Sequence, residues 1–213
     1  MRTFAPACLL LLSTAACAQP VPEFGPTVHA SFSLPLSMGN PVFNSLTSTL
    51  GQVDLAFNLP VYKGLGVGAG ANSMWYDLNG TTFSPVVTEG SADRWAYYGK
   101  LWWGRYTGPH TFYELNAKLG MGTWKWKCTT CAANAKQAGF HWSVNAAYFV
   151  HASENLAFSL LLGYQGDASG FHPGVIGLER FPGRTDSGAP YRFLTVGLGV
   201  STGFKRSPPE TGW

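Results

Sequence analysis

Two His-x-Ser spacings stand out among the residues able to do chemistry, His29-Ala30-Ser31 and His151-Ala152-Ser153-Glu154. In an extended chain, positions i and i+2 share a face, so each pair could set an imidazole base beside a hydroxyl nucleophile. A second set is ionic. Lys100, Glu114, Lys118 and Asp54 all fall on the polar positions of alternating segments, and charges withdrawn from water must pair. His29, Asn58, Gln165 and Asp167 are candidates to join them. Such a set reads first as an internal network that fills and stiffens an interior, and second as a gated ion path. Cys128-Thr129-Thr130-Cys131 offers two thiols without a clear second pair, which suits a small local disulfide in an oxidising compartment better than zinc or redox work. Gly66-x-Gly68-x-Gly70 lies inside an alternating run, opens no helix and has no acidic partner after it, so packing explains it better than nucleotide binding. No cofactor and no resident metal are called for.

The elements that must position these residues are strands. The chain repeatedly alternates apolar and polar residues, with Gly, Pro, Asn and Asp between the runs. Eight strands are predicted: Thr27 to Ser37, Gly51 to Leu59, Leu65 to Asp77, Arg94 to Tyr106, a fifth around Tyr113 to Gly122, Phe140 to Val150, Leu156 to Asp167, and Tyr191 to Phe204. Gaps after the odd strands are long (38 to 50, 78 to 93, 127 to 139, 168 to 190), and those after the even ones are about four to five residues. An even number of strands with short turns on one rim and long loops on the other is the asymmetry of a transmembrane barrel.

Alternation alone leaves the facing open, because a soluble lipocalin-like carrier alternates with its apolar side inward. Charged residues are 12% of the chain and aromatic ones 15%, against about 25% charged in ordinary soluble domains, which is too few to solvate an outer face. The polar face is crowded with Gly66, Gly68, Gly70, Gly120, Gly122, Gly197, Gly199 and Gly203, small enough for the narrow interior of eight strands. Along the apolar face, Trp75, Trp95, Tyr97, Phe140, Trp142 and Tyr164 fall toward the long-loop ends, while Trp103, Tyr113, Tyr148, Phe158 and Phe204 fall toward the short turns. Two aromatic girdles around a Leu, Val and Ala belt are expected at the two interfaces of a membrane. The expected fold is therefore all-β, a closed eight-stranded antiparallel up-and-down transmembrane β-barrel, apolar side out.

Residues 1–18 read as a secretory signal peptide, with Arg2, an apolar core around Cys8 to Leu12, and the small run Ala15-Ala16-Cys17-Ala18. A lipidated Cys17 is the second reading, although Thr14 stands where a Leu-like residue is usual. Residues 19–204 form the barrel domain and 205–213 a polar tail. The formal charge of +3 forms no basic stripe, which sets nucleic acid aside. The whole mature chain resembles the OmpA/OmpX-type small outer-membrane β-barrel family, and its last strand ends Leu198-Gly199-Val200-Ser201-Thr202-Gly203-Phe204. The resemblance implies the cell outer membrane of a Gram-negative-type bacterium, and Phe204 as an assembly signal read by the barrel-assembly machinery and periplasmic chaperones. Here Lys205 to Trp213 follow the aromatic that usually ends the chain. The expected partners are outer-membrane lipid and an unknown extracellular ligand held by the long loops, where Phe83, Phe171, His172 and Phe181 are available. The expected role is structural or surface-interacting and not enzymatic, with a narrow solute channel, a lipid-modifying enzyme and the lipocalin-like carrier as alternatives. The enzyme alternative rests on the His-x-Ser pairs, which are similar to those of outer-membrane lipid A deacylases. Those pairs face lipid near the outer leaflet, whereas His29 and Ser31 fall on the interior face.

Overall fold

Period-two alternation becomes eight strands in the computed structural model, which describes residues 23–82, 89–131, 135–181 and 189–203. In chain order they are β1 (Thr27–Ser37), β2 (Thr47–Tyr62), β3 (Leu65–Leu78), β4 (Gly90–Gly108), β5 (Thr111–Cys128), β6 (Lys136–Ser153), β7 (Leu156–Gly170) and β8 (Pro190–Gly203). A short helix α1 (Pro41–Leu46) precedes β2, and a 3-10 turn (Pro173–Ile176) precedes β8. Every strand pairs antiparallel with its sequence neighbours, and β8 returns to β1, closing the barrel. The segments assigned to a signal peptide (1–18) and a tail (205–213), together with Phe204 and Phe83, lie outside the described residues.

The register fixes the barrel's shape. Thr27 pairs with Asn58, Asn58 with Gly68, Gly68 with Lys100, Lys100 with Lys118, Lys118 with Ser143, Ser143 with Gln165, Gln165 with Phe193, and Phe193 with Ser37. One circuit thus starts at residue 27 of β1 and returns at residue 37, a shear of ten. Eight strands with that stagger tilt by about 40° and leave an interior that side chains can fill.

The apolar face points outward. Phe32, Leu55, Leu101, Leu119, Val144, Leu160 and Leu198 are exposed, with Leu198 at 68%, while the alternate residues His29, Asp54, Lys100, Lys118, Ser143 and Ser159 are buried. This excludes the lipocalin-like arrangement, whose apolar face lines the interior. From Tyr113 to Met121 on β5, and from Trp103 to Trp95 on β4, the outward residues are apolar apart from Gly99. Eight residue steps at this tilt rise about 20 Å, close to the height of the apolar band of a transmembrane barrel.

Several boundaries differ from expectation. The turns after β2, β4 and β6 are two residues each, Lys63-Gly64, Pro109-His110 and Glu154-Asn155. The long gaps are shorter than expected because β2, β4, β5, β6 and β7 continue past the predicted ends. In that continuation the alternation keeps its phase and reverses its chemistry. Along Thr123-Trp124-Lys125-Trp126-Lys127, the tryptophans are buried and the lysines exposed. A strand above the apolar band meets water outside and must bury its apolar side inside. The first long loop also holds α1, where Asn40 caps the helix by accepting from Phe43 N at 3.0 Å and Pro41 opens it.

Candidate functional site: a layered interior closed at both ends

At the short-turn end the interior is aromatic. Phe112 and Phe149 stack with ring centroids 4.4 Å apart. Phe24, from the segment before β1, packs on Trp102 (5.5 Å), Tyr106 (4.7 Å) and Phe112 (5.4 Å). His151 lies flat against Tyr106 at 6.0 Å. His29 also faces the interior, with Nε2 3.3 Å from Ser159 Oγ.

The middle layer holds the four ionic residues singled out from the sequence. Lys100 Nζ lies 2.7 Å from Glu114 Oε1, and Lys118 Nζ lies 2.8 Å from Asp54 Oδ2. All four side chains are nearly inaccessible. Lys100 and Lys118 stand directly opposite one another across β4 and β5, a like-charge pairing that alone would be unfavourable. One carboxylate on each ammonium neutralises it. Tyr98 donates to Asp54 Oδ1 at 2.7 Å and offers its ring to Lys118 Nζ at 4.6 Å. Asn116 donates to Glu114 Oε1 at 2.8 Å, and Asn145 to Asn116 Oδ1 at 2.8 Å. Tyr98 has this room because position 70 is glycine, where a Cβ would come within 2.6 Å of its hydroxyl.

The remaining candidates do not join this layer. Gln165 donates to Gln52 Oε1 at 2.6 Å. Asn58 Nδ2 reaches Thr27 Oγ1 at 3.4 Å. Asp167 belongs to a separate centre nearer the long loops, which the sequence reading did not find. There Arg94 grips Asp167 through Nε (3.1 Å) and Nη2 (2.8 Å), Trp124 Nε1 donates to Asp167 Oδ2 at 2.9 Å, and His141 Nδ1 lies 3.0 Å from Oδ1. Arg94 also meets Asn72 and His141. Arg94 and His141 are fully buried, and bidentate guanidinium–carboxylate pairing with further donors is the arrangement in which buried charge is tolerated.

Above that centre the interior is apolar again. Phe43 and Leu46 of α1, with Met74, Tyr76, Trp124, Trp126, Phe171, Ile176, Phe181, Tyr191 and Phe193, form one buried cluster. Phe43 contacts Tyr191 at 5.5 Å and Phe171 at 5.7 Å, and Trp124 stacks on Tyr191 at 4.5 Å. Phe171 and Phe181, read from sequence as loop residues available to a partner, are 1% and 2% exposed and belong to this plug. His172 is exposed, its Nε2 3.1 Å from Gln137 Nε2. A disulfide joins Cys128 to Cys131, and Thr130 Oγ1 donates to Ile176 O at 2.7 Å, so the third long loop is tied to the fourth over the plug. The signal for the plug was Trp124-Lys125-Trp126-Lys127, in which alternation outlasts the membrane belt.

Chemically, each middle-layer charge is held by an opposite charge, and aromatic layers cover both ends. Against known proteins, the sequence matches no family model and no curated protein. The fold is similar to that of Neisserial surface protein A (TM-score 0.52, 10% identity, covering 85% of this chain and 98% of that one). It is also similar to the outer membrane protein OprG of Pseudomonas aeruginosa (TM-score 0.50, 10% identity, 86% and 99% covered). With its apolar belt outward, shear of ten and interior capped by aromatic layers, the chain has the fold of the small eight-stranded outer-membrane β-barrels.

Proposed function

We propose that the protein is an integral outer-membrane barrel with a structural or surface-interaction role, its outer loops being the surface offered to a partner. The observation that carries this reading is an interior of paired charges closed by aromatic layers at both ends, inside an apolar exterior belt suited to lipid. A transport path would require the Phe43 plug, the Arg94–Asp167 centre and the Phe24 layer to open together, so no second reading as a channel is favoured. His29 and Ser31 face the interior, and His151 packs on Tyr106 at the short-turn rim, so neither His-x-Ser pair supports a lipid-modifying step. The middle-layer pairs serve to rigidify the barrel, and the Cys128–Cys131 bridge to brace the loop cap. Residues 1–18 serve export, and Phe204 serves recognition by the assembly machinery and its chaperones.

The test is electrophoretic mobility of detergent-extracted protein with and without boiling, together with membrane fractionation and planar-bilayer conductance. A heat-dependent shift, recovery in the outer membrane and no steady conductance are expected. A soluble protein without a shift would overturn the membrane reading, and stable open currents would restore the channel.

A further inference from the structure

The outward face of the barrel changes abruptly above the aromatic girdle, and it does so on one side. Lys125 of β5 and Lys136 of β6 are direct cross-strand partners, both exposed. Opposed residues on one face hold their Cβ atoms about 5 Å apart, and like charges there repel. Lys127, one outward position higher on β5, is drawn to Asp93 Oδ2 at 3.1 Å. Asp93 is itself the cross-strand partner of Lys125, but its carboxylate is paired with Lys127. Asp77 and Glu89 are also exposed on this wall, but neither Lys125 nor Lys136 has an ion-pair partner among the described residues, and the segments 83–88 and 132–134 contain no acidic residue. The repulsion calls for an anion from outside the chain.

Position says which anion. Two residues below Asp93 and Lys125, the outward partners are Trp95 and Thr123; Tyr97, 67% exposed, and Met121 follow. Trp95 and Tyr97 belong to the girdle that marks the outer edge of the apolar belt, and two residues at this tilt rise only about 5 Å. Lysine side chains that close to the boundary reach the depth of lipid headgroups. The opposite wall offers no comparable cluster: at the tops of β7, β8 and β1 the described outward residues include Ala168, Pro190 and the lone cation Arg192.

From this arrangement we infer that Lys125, Lys136 and Lys127 form a binding site for the phosphate groups of a phosphorylated outer-leaflet lipid, whose acyl chains lie against the belt beneath Trp95 and Tyr97. The inference rests on the outer-membrane reading above. It assigns a fixed lipid to one wall of the barrel, whereas that reading requires only a lipid annulus.

The full chain, extracted in mild detergent and checked for the heat-dependent mobility shift, is mixed with lipid A carrying its phosphates or with lipid A from which they have been removed, and retained lipid is counted by native mass spectrometry. The phosphorylated form is expected to be retained selectively. Lys125→Gln with Lys136→Gln should weaken retention by about fivefold for each lysine removed, the size expected for a cation at an anionic lipid surface. Lys63→Gln, at the short turn on the opposite rim, should change nothing. Equal retention of the two lipids, an unaffected double variant, or displacement by inorganic phosphate at matched concentration would overturn the site. A preserved mobility shift in the double variant separates loss of the site from failure to fold. Absence of the shift in the unaltered chain would overturn the outer-membrane reading and the site with it.

Discussion

Lys118 shows how much of the interior is settled one side chain at a time. Its ammonium is held by Asp54 and the Tyr98 ring, so Lys118→Met leaves a buried carboxylate whose remaining hydrogen-bond donor among the described residues is the Tyr98 phenol. A loss of about 3–5 kcal/mol is expected, measured by urea unfolding in lipid vesicles, and Lys118→Met with Asp54→Leu should recover part of it. Equal losses in the single and double variants would show that the two charges are not coupled. On the opposite face, Leu160→Arg should cost about 2–4 kcal/mol, while Ser159→Thr, one residue away and facing inward, should be mild; equal effects would contradict the facing. Period two puts Asp54, Lys100, Glu114 and Lys118 on one face, and that much can be read in the sequence. The Arg94–Asp167 centre could not be read in the same way. Its members are 73 residues apart on β4 and β7, and their common height depends on the stagger of strands, which no local pattern states.

At the scale of elements, strand cores were legible and strand ends were not. Apolar-out alternation marks a strand only along the stretch of its outer face that lipid covers. Water replaces lipid near Asp93 and Lys125, so the same period continues with Trp124 and Trp126 inside. Helix α1 was missed for a related reason: six residues of helix in a long gap carry no repeat, and its Pro41 start and Asn40 cap read equally well as a turn. Its contribution is Phe43, fully buried among Tyr76, Trp124, Phe171, Tyr191 and Phe193. Phe43→Ala should cost about 3–5 kcal/mol and expose the fourth loop to limited proteolysis, while the membrane-embedded strands stay protected. Simultaneous loss of loop and strand protection would mean that the plug and barrel unfold as one unit. Reducing Cys128–Cys131, which closes a loop of only a few residues, should lower stability by no more than about 2 kcal/mol, read as the shift in urea midpoint with and without reductant.

For the whole molecule, strand number, antiparallel order and outward apolar face followed from alternation, loop lengths and the shortage of charge. The shear of ten did not, because it depends on the register of all eight pairings together. Closure also places the ends of the described sheet side by side, with Thr27 paired to Gly203. The eight strands therefore form a ring in which β1 is first only because the chain happens to be cut there. A circular permutant that joins the two ends through a short polar linker and opens at Lys63-Gly64 keeps every strand neighbour. Refolded from urea into detergent micelles, it should show the same heat-dependent mobility shift, whereas opening within β5 should abolish it.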